Sequence, residues 1–164
     1  MTSVKDDILS RISADETAWQ QLVGEVPTER LDEPGPMGDW SFRDLVSHLL
    51  AWRNRTTSRL QAAAAGAPRP GAPWPADMTD DDPINAWFRD QDEGRTAADL
   101  LEDYDASFGR LKTAVQALPP DAFIGETDTP GYFKWQDAAG ELQSDFSGHL
   151  NDHADDVRAW LAKG

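Results

Sequence analysis

The sequence of 164 residues contains no cysteine. Disulfide bonds, thiolate metal sites and a cysteine nucleophile are therefore excluded, and any metal has to be held by nitrogen and oxygen ligands. The sequence also lacks any apolar run near the roughly 18 residues that a membrane-spanning helix requires. We therefore expect no transmembrane segment.

Basic residues are scarce as well. The 15 lysines and arginines face 30 acidic residues, which gives a net charge of −15 and a pI near 4.3. Such a surface repels phosphate backbones and anionic lipid headgroups, so we expect that neither nucleic acid nor a membrane is a partner. The alternative explanation of the charge is a well-solvated surface without a functional role. The N-terminal segment has mixed charge and no hydrophobic signal region, so we expect a cytoplasmic protein.

Hydrophobic residues are sufficient for a compact interior. They make up 39% of the chain and include seven tryptophans and six phenylalanines. A chain of this length favours one core, so we expect residues 1–164 to form a single domain.

Apolar residues recur at helical spacing in four long segments, with no convincing strand pattern. We expect these helices at about residues 3–26, 41–66, 96–118 and 136–163. Four amphipathic helices predict an all-α protein, a four-helix bundle.

The second and third long helices are joined by a long connection. It begins with the Pro/Gly-rich residues 66–83, and a short helix is expected at residues 83–92. A segment of this length can cross the bundle or line the mouth of a pocket. Capping boxes at Ser41 and Thr96 mark where the flanking long helices begin.

The three histidines fall on faces that are predicted to point into the bundle. His149 and His153 are four residues apart, so their imidazoles share one helix face and can chelate one ion. His48 lies in the apolar stripe of the second helix, which can meet the fourth. The pattern predicts a mononuclear metal site with positions left open for water, which is typical of catalytic centres. The alternative is that each histidine is a hydrogen-bonded packing residue.

Other side chains are weaker candidates for the same site. Asp145 precedes His149 by one predicted helical turn, where it could orient an imidazole, act as a fourth ligand or serve in catalysis. Its alternative role is that of a solvated carboxylate on an acidic helix. Trp52 and Trp87 are candidates to line a pocket for an apolar ligand, and their alternative role is ordinary packing. No GxSxG, P-loop or HExxH motif is present.

Two histidine-containing blocks resemble a known superfamily. Residues 38–52, GDWSFRDLVSHLLAW, resemble the second helix of the DinB-like (DinB/YfiT) superfamily of four-helix-bundle metalloenzymes, where W-S-x-x-D-x-x-x-H-x-x-x-W is characteristic. Residues 148–161 resemble its closing HxxxH helix, and residues 83–89 with 100–104 look like its ClbS/DfsB branch. The resemblance implies a divalent metal ion, zinc or nickel, held by His48, His149 and His153.

The resemblance also implies a function. It favours a metal-dependent hydrolase or detoxifying enzyme that acts on a small electrophilic molecule, with a role in stress or toxin resistance. One alternative is an S-transferase or isomerase that uses mycothiol or bacillithiol, a low-molecular-weight thiol that this cysteine-free chain has to take as a cofactor. A second alternative is a non-enzymatic protein that sequesters a small molecule. We expect a small-molecule substrate, and a homodimer is one assembly compatible with the sequence.

Overall fold

The computed structural model describes residues 2–124, 132–134, 141–143 and 147–164. Within them the backbone forms five α-helices, of which the third is the short one: α1 (Val4–Glu25), α2 (Phe42–Ala64), α3 (Asp81–Gln91), α4 (Ala97–Gln116) and α5 (His149–Ala162). The predicted all-α four-helix bundle, with a long connection between its second and third long helices, is confirmed. None of the described helices combines the length and the apolar character needed to cross a membrane.

Side-chain caps set the starts of three long helices. Ser3, Ser41 and Thr96 each accept a hydrogen bond from the backbone N–H three residues later, and the aspartate there accepts from the N–H of the cap. These reciprocal bonds satisfy N–H groups that have no partner inside the helix, and each cap is typically worth about 1 kcal/mol. The capping boxes predicted at Ser41 and Thr96 are confirmed.

The core lies where α2 and α4 pack together, with α1 covering α4. Trp19 of α1 stacks on Phe42 with ring centroids 5.8 Å apart, and it meets the ring of Tyr104 edge-on at 4.6 Å. All three side chains are buried. This cluster fixes α1 against the pair of helices that carries much of the hydrophobic core, so the position of His48 on α2 is well defined.

Short strands occur at two places where the sequence has no convincing strand pattern. Two antiparallel strands precede α2, and three more form an antiparallel sheet in chain order after α4: β1 (Pro34–Met37), β2 (Trp40–Ser41), β3 (Phe123–Ile124), β4 (Tyr132–Lys134) and β5 (Glu141–Gln143). Single 3-10 turns span Thr28–Arg30 and Pro120–Ala122. The strands have two to four residues, which is too short for an alternating pattern to be recognised in the sequence.

The last helix is shorter than the one predicted at residues 136–163. Residues Glu141–Gln143 form a strand, and Gly148, which directly precedes α5, has a φ of +92°. That left-handed conformation cannot continue a right-handed helix, so α5 begins only at His149. Leu142 and Leu150 stand eight residues apart, in phase with a helical repeat. The apolar period therefore continues across the break, and this continuity caused the error.

Gly35 of β1 lies against the indole ring of Trp160 in α5. Its φ is +138°, and a Cβ atom there would lie 2.5 Å from Cδ1 of Trp160. We expect Gly35→Ala to lower the free energy of unfolding by about 2–4 kcal/mol, because both the backbone conformation and the contact oppose a methyl group. Urea denaturation measures the change.

The matched control for this substitution is Gly109→Ala in α4. Gly109 is exposed, and its added Cβ meets nothing within 4 Å. This substitution is expected to raise the free energy of unfolding by about 0.5–1 kcal/mol, through helix propensity alone. Equal effects of the two substitutions would contradict the close packing of β1 on α5.

Candidate metal centre

Three imidazole rings converge where α2 meets α5. His48 lies in the second turn of α2, His149 is the first residue of α5, and His153 follows one turn later. The ring centroids are 4.8 Å apart for His48 and His149, and 5.2 Å apart for each of the other two pairs. The three rings therefore form a nearly equilateral triangle.

Nitrogen atoms of the three rings face a common point. Nε2 of His48 lies 2.9 Å from Nε2 of His149. One nitrogen from each ring lies within 4.8 Å of the other two, and in the described part of the chain this group is close enough to hold a metal ion. The structure thus brings together the three histidines that the sequence singled out, while metal binding by them stays a prediction.

The cluster has a buried side and a more open side. His48 is 5% exposed, whereas His149 and His153 are half-buried. Trp40 of β2 lies edge-on to the ring of His48, with centroids 6.3 Å apart. A molecule that reaches the cluster therefore approaches past His149 and His153, with His48 at the floor.

Asp15 of α1 fixes the start of α5. Its buried carboxylate accepts a hydrogen bond from the backbone N–H of Gly148, with Oδ2 and N 2.9 Å apart. A carboxylate at this end of a helix is also favoured by the helix dipole. Asp15 therefore holds the residue that precedes His149. It was not predicted from the sequence, because one aspartate on an acid-rich helix is expected to be solvated until the position of α5 is known.

Asn85 of α3 lies on the other flank of His48. Its Oδ1 accepts a hydrogen bond of 2.8 Å from Nε1 of Trp52, which follows His48 by one turn of α2. Nδ1 of His48 is buried and makes no hydrogen bond with the described residues. The ring is thus held by packing and by the contact of its Nε2 with Nε2 of His149.

Burial keeps two of the imidazoles neutral. Burial lowers the pKa of His48 to about 3; the neighbouring His149 and His153 reinforce this shift, and Asn85 opposes it. Burial and His149 likewise lower the pKa of His153, against the opposing charges of Asp152 and Asp156. Neutral imidazole is the form that binds a metal, so protons compete weakly for these two rings near neutral pH.

The lowered pKa values make the stability of the metal-free protein depend on pH. In the unfolded chain the histidine pKa is about 6.5, so the unfolded state binds more protons than the folded state at pH values between about 3 and 6.5. The contribution of these histidines to the free energy of unfolding is therefore complete above about pH 6.5, and it is lost as the pH falls from about 6.5 to about 3. His48 alone is expected to account for a loss of about 2–3 kcal/mol between about pH 7.5 and 4.5.

Urea denaturation in the presence of a chelator, at several pH values, measures this dependence. His48→Gln has no titratable group at that position, so its unfolding free energy is expected to depend less steeply on pH. A wild-type protein whose unfolding free energy is constant over the same range would contradict the buried, neutral His48.

The donor set fits a divalent transition-metal ion. Three neutral imidazoles without sulfur are ligands that zinc, nickel and copper accept. With metal–nitrogen bonds of about 2.0–2.1 Å, nitrogens in a tetrahedral array lie roughly 3.3 Å apart. The separation of 2.9 Å between two Nε2 atoms is close to that value. The widest separation, 4.8 Å, requires a small inward movement of a half-buried ring.

Of the remaining predicted site residues, Trp52 and Trp87 are described by the structure and Asp145 is not. Asp145 lies outside the described residues, and the argument from helical spacing no longer applies to it, because α5 begins at His149. Trp87 lines a cavity of about 400 Å³ that none of the three histidines borders. Trp52 follows His48 by one turn of α2, and its ring lies 5.6 Å from that of Phe88 in the cavity wall. The binding roles of Trp52 and Trp87 stay predictions.

The fold and the histidine cluster together define a helical-bundle protein of the DinB-like class, with a site that could hold a metal. Residues 12–135 match the family described as the mycothiol maleylpyruvate isomerase N-terminal domain, and the chain belongs to this family. The matched segment includes His48 and ends before His149 and His153. The two histidines that α5 adds to the cluster are therefore an observation independent of the family match.

Two solved structures are similar to the chain over nearly its whole length. One is an uncharacterised protein from Escherichia coli UTI89, with a TM-score of 0.69 and 14% identity over 99% of this chain and 95% of that one. The other is the colibactin self-resistance protein ClbS in complex with a double-stranded DNA, with a TM-score of 0.62 and 15% identity over 99% and 94%. Such identities show a shared fold, and the predicted resemblance to DinB-like, ClbS-related proteins is confirmed. No curated protein matches the chain significantly.

The prediction that nucleic acid is not a partner is wrong. It was drawn from the net charge of −15, yet ClbS, which has the same fold, is seen in complex with duplex DNA. Net charge averages over the whole surface, whereas nucleic-acid binding depends on how basic side chains are distributed locally. An acidic composition therefore does not exclude this class of partner.

Proposed function

We propose that this protein is a metal-dependent enzyme that joins an external nucleophile to a small electrophilic molecule. The observation that carries the proposal is the convergence of one nitrogen each from His48, His149 and His153 within 4.8 Å. Three protein ligands leave at least one coordination position open, as in catalytic zinc sites. When bound, a divalent ion supplies the Lewis acidity that makes water or a thiol nucleophilic near neutral pH.

A low-molecular-weight thiol is the proposed nucleophile. The family to which the chain belongs is named for a mycothiol-linked isomerase, which supports a thiol of this kind. The chain has no cysteine of its own, so the sulfur has to come from a bound small molecule. His149 and His153 are half-buried, which leaves the approach to the cluster open on their side.

The protein's own residues prepare the site before any ligand arrives. Burial holds His48 neutral at the floor, with its Nε2 turned towards His149. The bond from Gly148 to Asp15 fixes the first turn of α5, from which His149 projects. Such fixed placement lowers the cost of ordering the ligands when an ion binds.

Water is the second candidate nucleophile, which would make the protein a hydrolase that disarms a toxic electrophile. The specific observation in its favour is the shared fold with ClbS, a protein described as a colibactin self-resistance protein. The two proposals assign the same role to the three histidines and differ only in the molecule that attacks.

Product analysis separates these candidates. Protein loaded with one equivalent of zinc or nickel is incubated with an epoxide or another strained electrophile, once in buffer alone and once with mycothiol. We expect turnover that requires both the metal and the thiol. Turnover in buffer alone would replace the transferase by the hydrolase. Tight binding without turnover in either arm would overturn the enzyme proposal in favour of a sequestering protein.

The likeness to ClbS makes duplex DNA a further candidate ligand of this chain. Fluorescence anisotropy of a labelled duplex at low and at moderate salt tests it, because phosphate contacts weaken steeply as salt increases. Binding that is lost with salt would indicate contacts to the backbone of the DNA.

A further inference from the structure

A cavity of about 400 Å³ lies between α2, α3 and the connection that precedes α3. Its volume is within the range of roughly 300–1,000 Å³ that is usual for small-molecule sites. Trp87 and Phe88 of α3 supply aromatic surface, and the arginines Arg55, Arg59 and Arg95 supply charge. An apolar wall with a few charged groups is typical of a site for a small organic ligand.

The charge in this cavity is opposite to that of the protein. Three arginines and one aspartate, Asp92, line it, whereas the whole chain carries a net charge of −15. Arg95 is already paired, with Asp103 at 2.9 Å and with Asp92 at 3.6 Å. The other two arginines of the lining, Arg55 and Arg59, are contributed by α2.

Arg55 is the cation best placed to meet a ligand. Its guanidinium lies over the ring of Trp74 at 4.5 Å and near that of Trp52 at 5.4 Å, and within the described part of the chain it forms no ion pair. Burial lowers the pKa of Arg55. Burial also lowers the pKa of Arg59, with help from the charges of Arg55 and Arg69. Both guanidinium groups stay protonated. The cavity wall therefore carries positive charges, and their partial burial is energetically unfavourable.

We propose that this cavity binds a small organic anion, whose acidic group pairs with Arg55 and whose apolar part lies against Trp87 and Phe88. The planar guanidinium, held in place by two indole rings, presents its N–H groups in the fixed geometry that suits a carboxylate, a sulfonate or a phosphate. Arg59 adds positive potential at the same wall.

The anion site is distinct from the histidine cluster and does not depend on a metal. His48 and Arg55 are seven residues apart on α2, which corresponds to a rise of about 10 Å along the helix. Trp52 lies between them, hydrogen-bonded to Asn85 and in contact with Phe88. The proposal therefore goes beyond the proposed enzymatic function and can be tested on metal-free protein.

Fluorescence titration with anilinonaphthalene sulfonate tests the anion site, with the neutral phenylnaphthylamine as the matched probe that lacks the sulfonate. On chelator-treated wild-type protein we expect one equivalent of the anionic probe to bind. Arg55→Gln is expected to weaken that binding at least about tenfold and to leave the neutral probe nearly unaffected, because only the charge-assisted pair is lost. Arg55→Lys keeps the charge and should recover part of the affinity.

Arg11→Gln is the control variant, since Arg11 pairs with Asp7 on α1 and does not line the cavity. It is expected to bind the anionic probe as tightly as the wild type. Circular dichroism checks that each variant keeps its helices. The proposal is overturned by equal affinities for the two probes, or by a folded Arg55→Gln variant that binds the sulfonate as the wild type does. Displacement of the probe by a short DNA duplex, but not by small aromatic carboxylates, would overturn it in favour of a phosphate-backbone surface.

Discussion

Replacing His149 by alanine is expected to weaken the binding of zinc or nickel by at least about a hundredfold. Even groups that merely orient a metal ligand typically change affinity by about 10–100-fold, and Nε2 of His149 faces the cluster directly, 2.9 Å from Nε2 of His48. Isothermal titration calorimetry on protein purified without metal-affinity chromatography measures the change in affinity. The helices are expected to persist, because His149 is only half-buried and lies at the end of a helix.

Asn151→Ala is the matched control for this variant. Asn151 lies two residues further along α5 and is exposed, so its loss should leave the metal affinity at the wild-type value. If His149→Ala retained the wild-type affinity and stoichiometry, the three-histidine site would be wrong.

Replacing His48 by alanine is expected to lower kcat/KM for the electrophile by at least about a thousandfold, equivalent to roughly 4 kcal/mol of activation free energy. The loss is large because the buried ligand at the floor of the cluster disappears, and with it the Lewis acid that activates the nucleophile. The free energy of unfolding of the metal-free protein should change by less, about 1–3 kcal/mol, since the imidazole contributes packing and one contact through Nε2, while its Nδ1 makes no hydrogen bond with the described residues. Steady-state kinetics and urea denaturation of the same preparation separate the two effects.

Gln61→Ala serves as the control for the kinetic comparison, because Gln61 is an exposed residue of the same helix. It is expected to turn over the electrophile at the wild-type rate. A folded His48→Ala variant with near-wild-type kcat/KM would instead indicate that catalysis occurs away from the histidines.

The bundle itself could be predicted because its signals are local. Ser41 and Thr96 mark helix starts through their own side chains, and the apolar stripe of each long helix repeats often enough to establish the period. The convergence of the histidines was predictable for a similar reason. His149 and His153 share a face through spacing alone, and only the meeting of α2 with α5 had to be inferred.

Features that depend on tertiary contacts could not be predicted in this way. The start of α5 is set by the backbone conformation of Gly148 and by its bond to Asp15, which lies 133 residues earlier in the chain. Arg55 and Arg59 of α2 line one cavity with Trp87 of α3, and the Pro/Gly-rich connection contributes part of the same wall. No periodic pattern in the sequence encodes this arrangement. The net charge of the whole chain likewise gave no indication of the local excess of cations in this cavity.

X-ray absorption at the zinc edge, on protein loaded with one equivalent of zinc, tests the central claim most directly. The spectrum reports the number and type of ligands bound to the ion. We predict three imidazole nitrogens at about 2.0–2.1 Å together with at least one oxygen, and fewer than three imidazoles per zinc ion in His149→Ala. A wild-type spectrum with fewer than three imidazoles, or one that His149→Ala leaves unchanged, would contradict a metal site built from His48, His149 and His153.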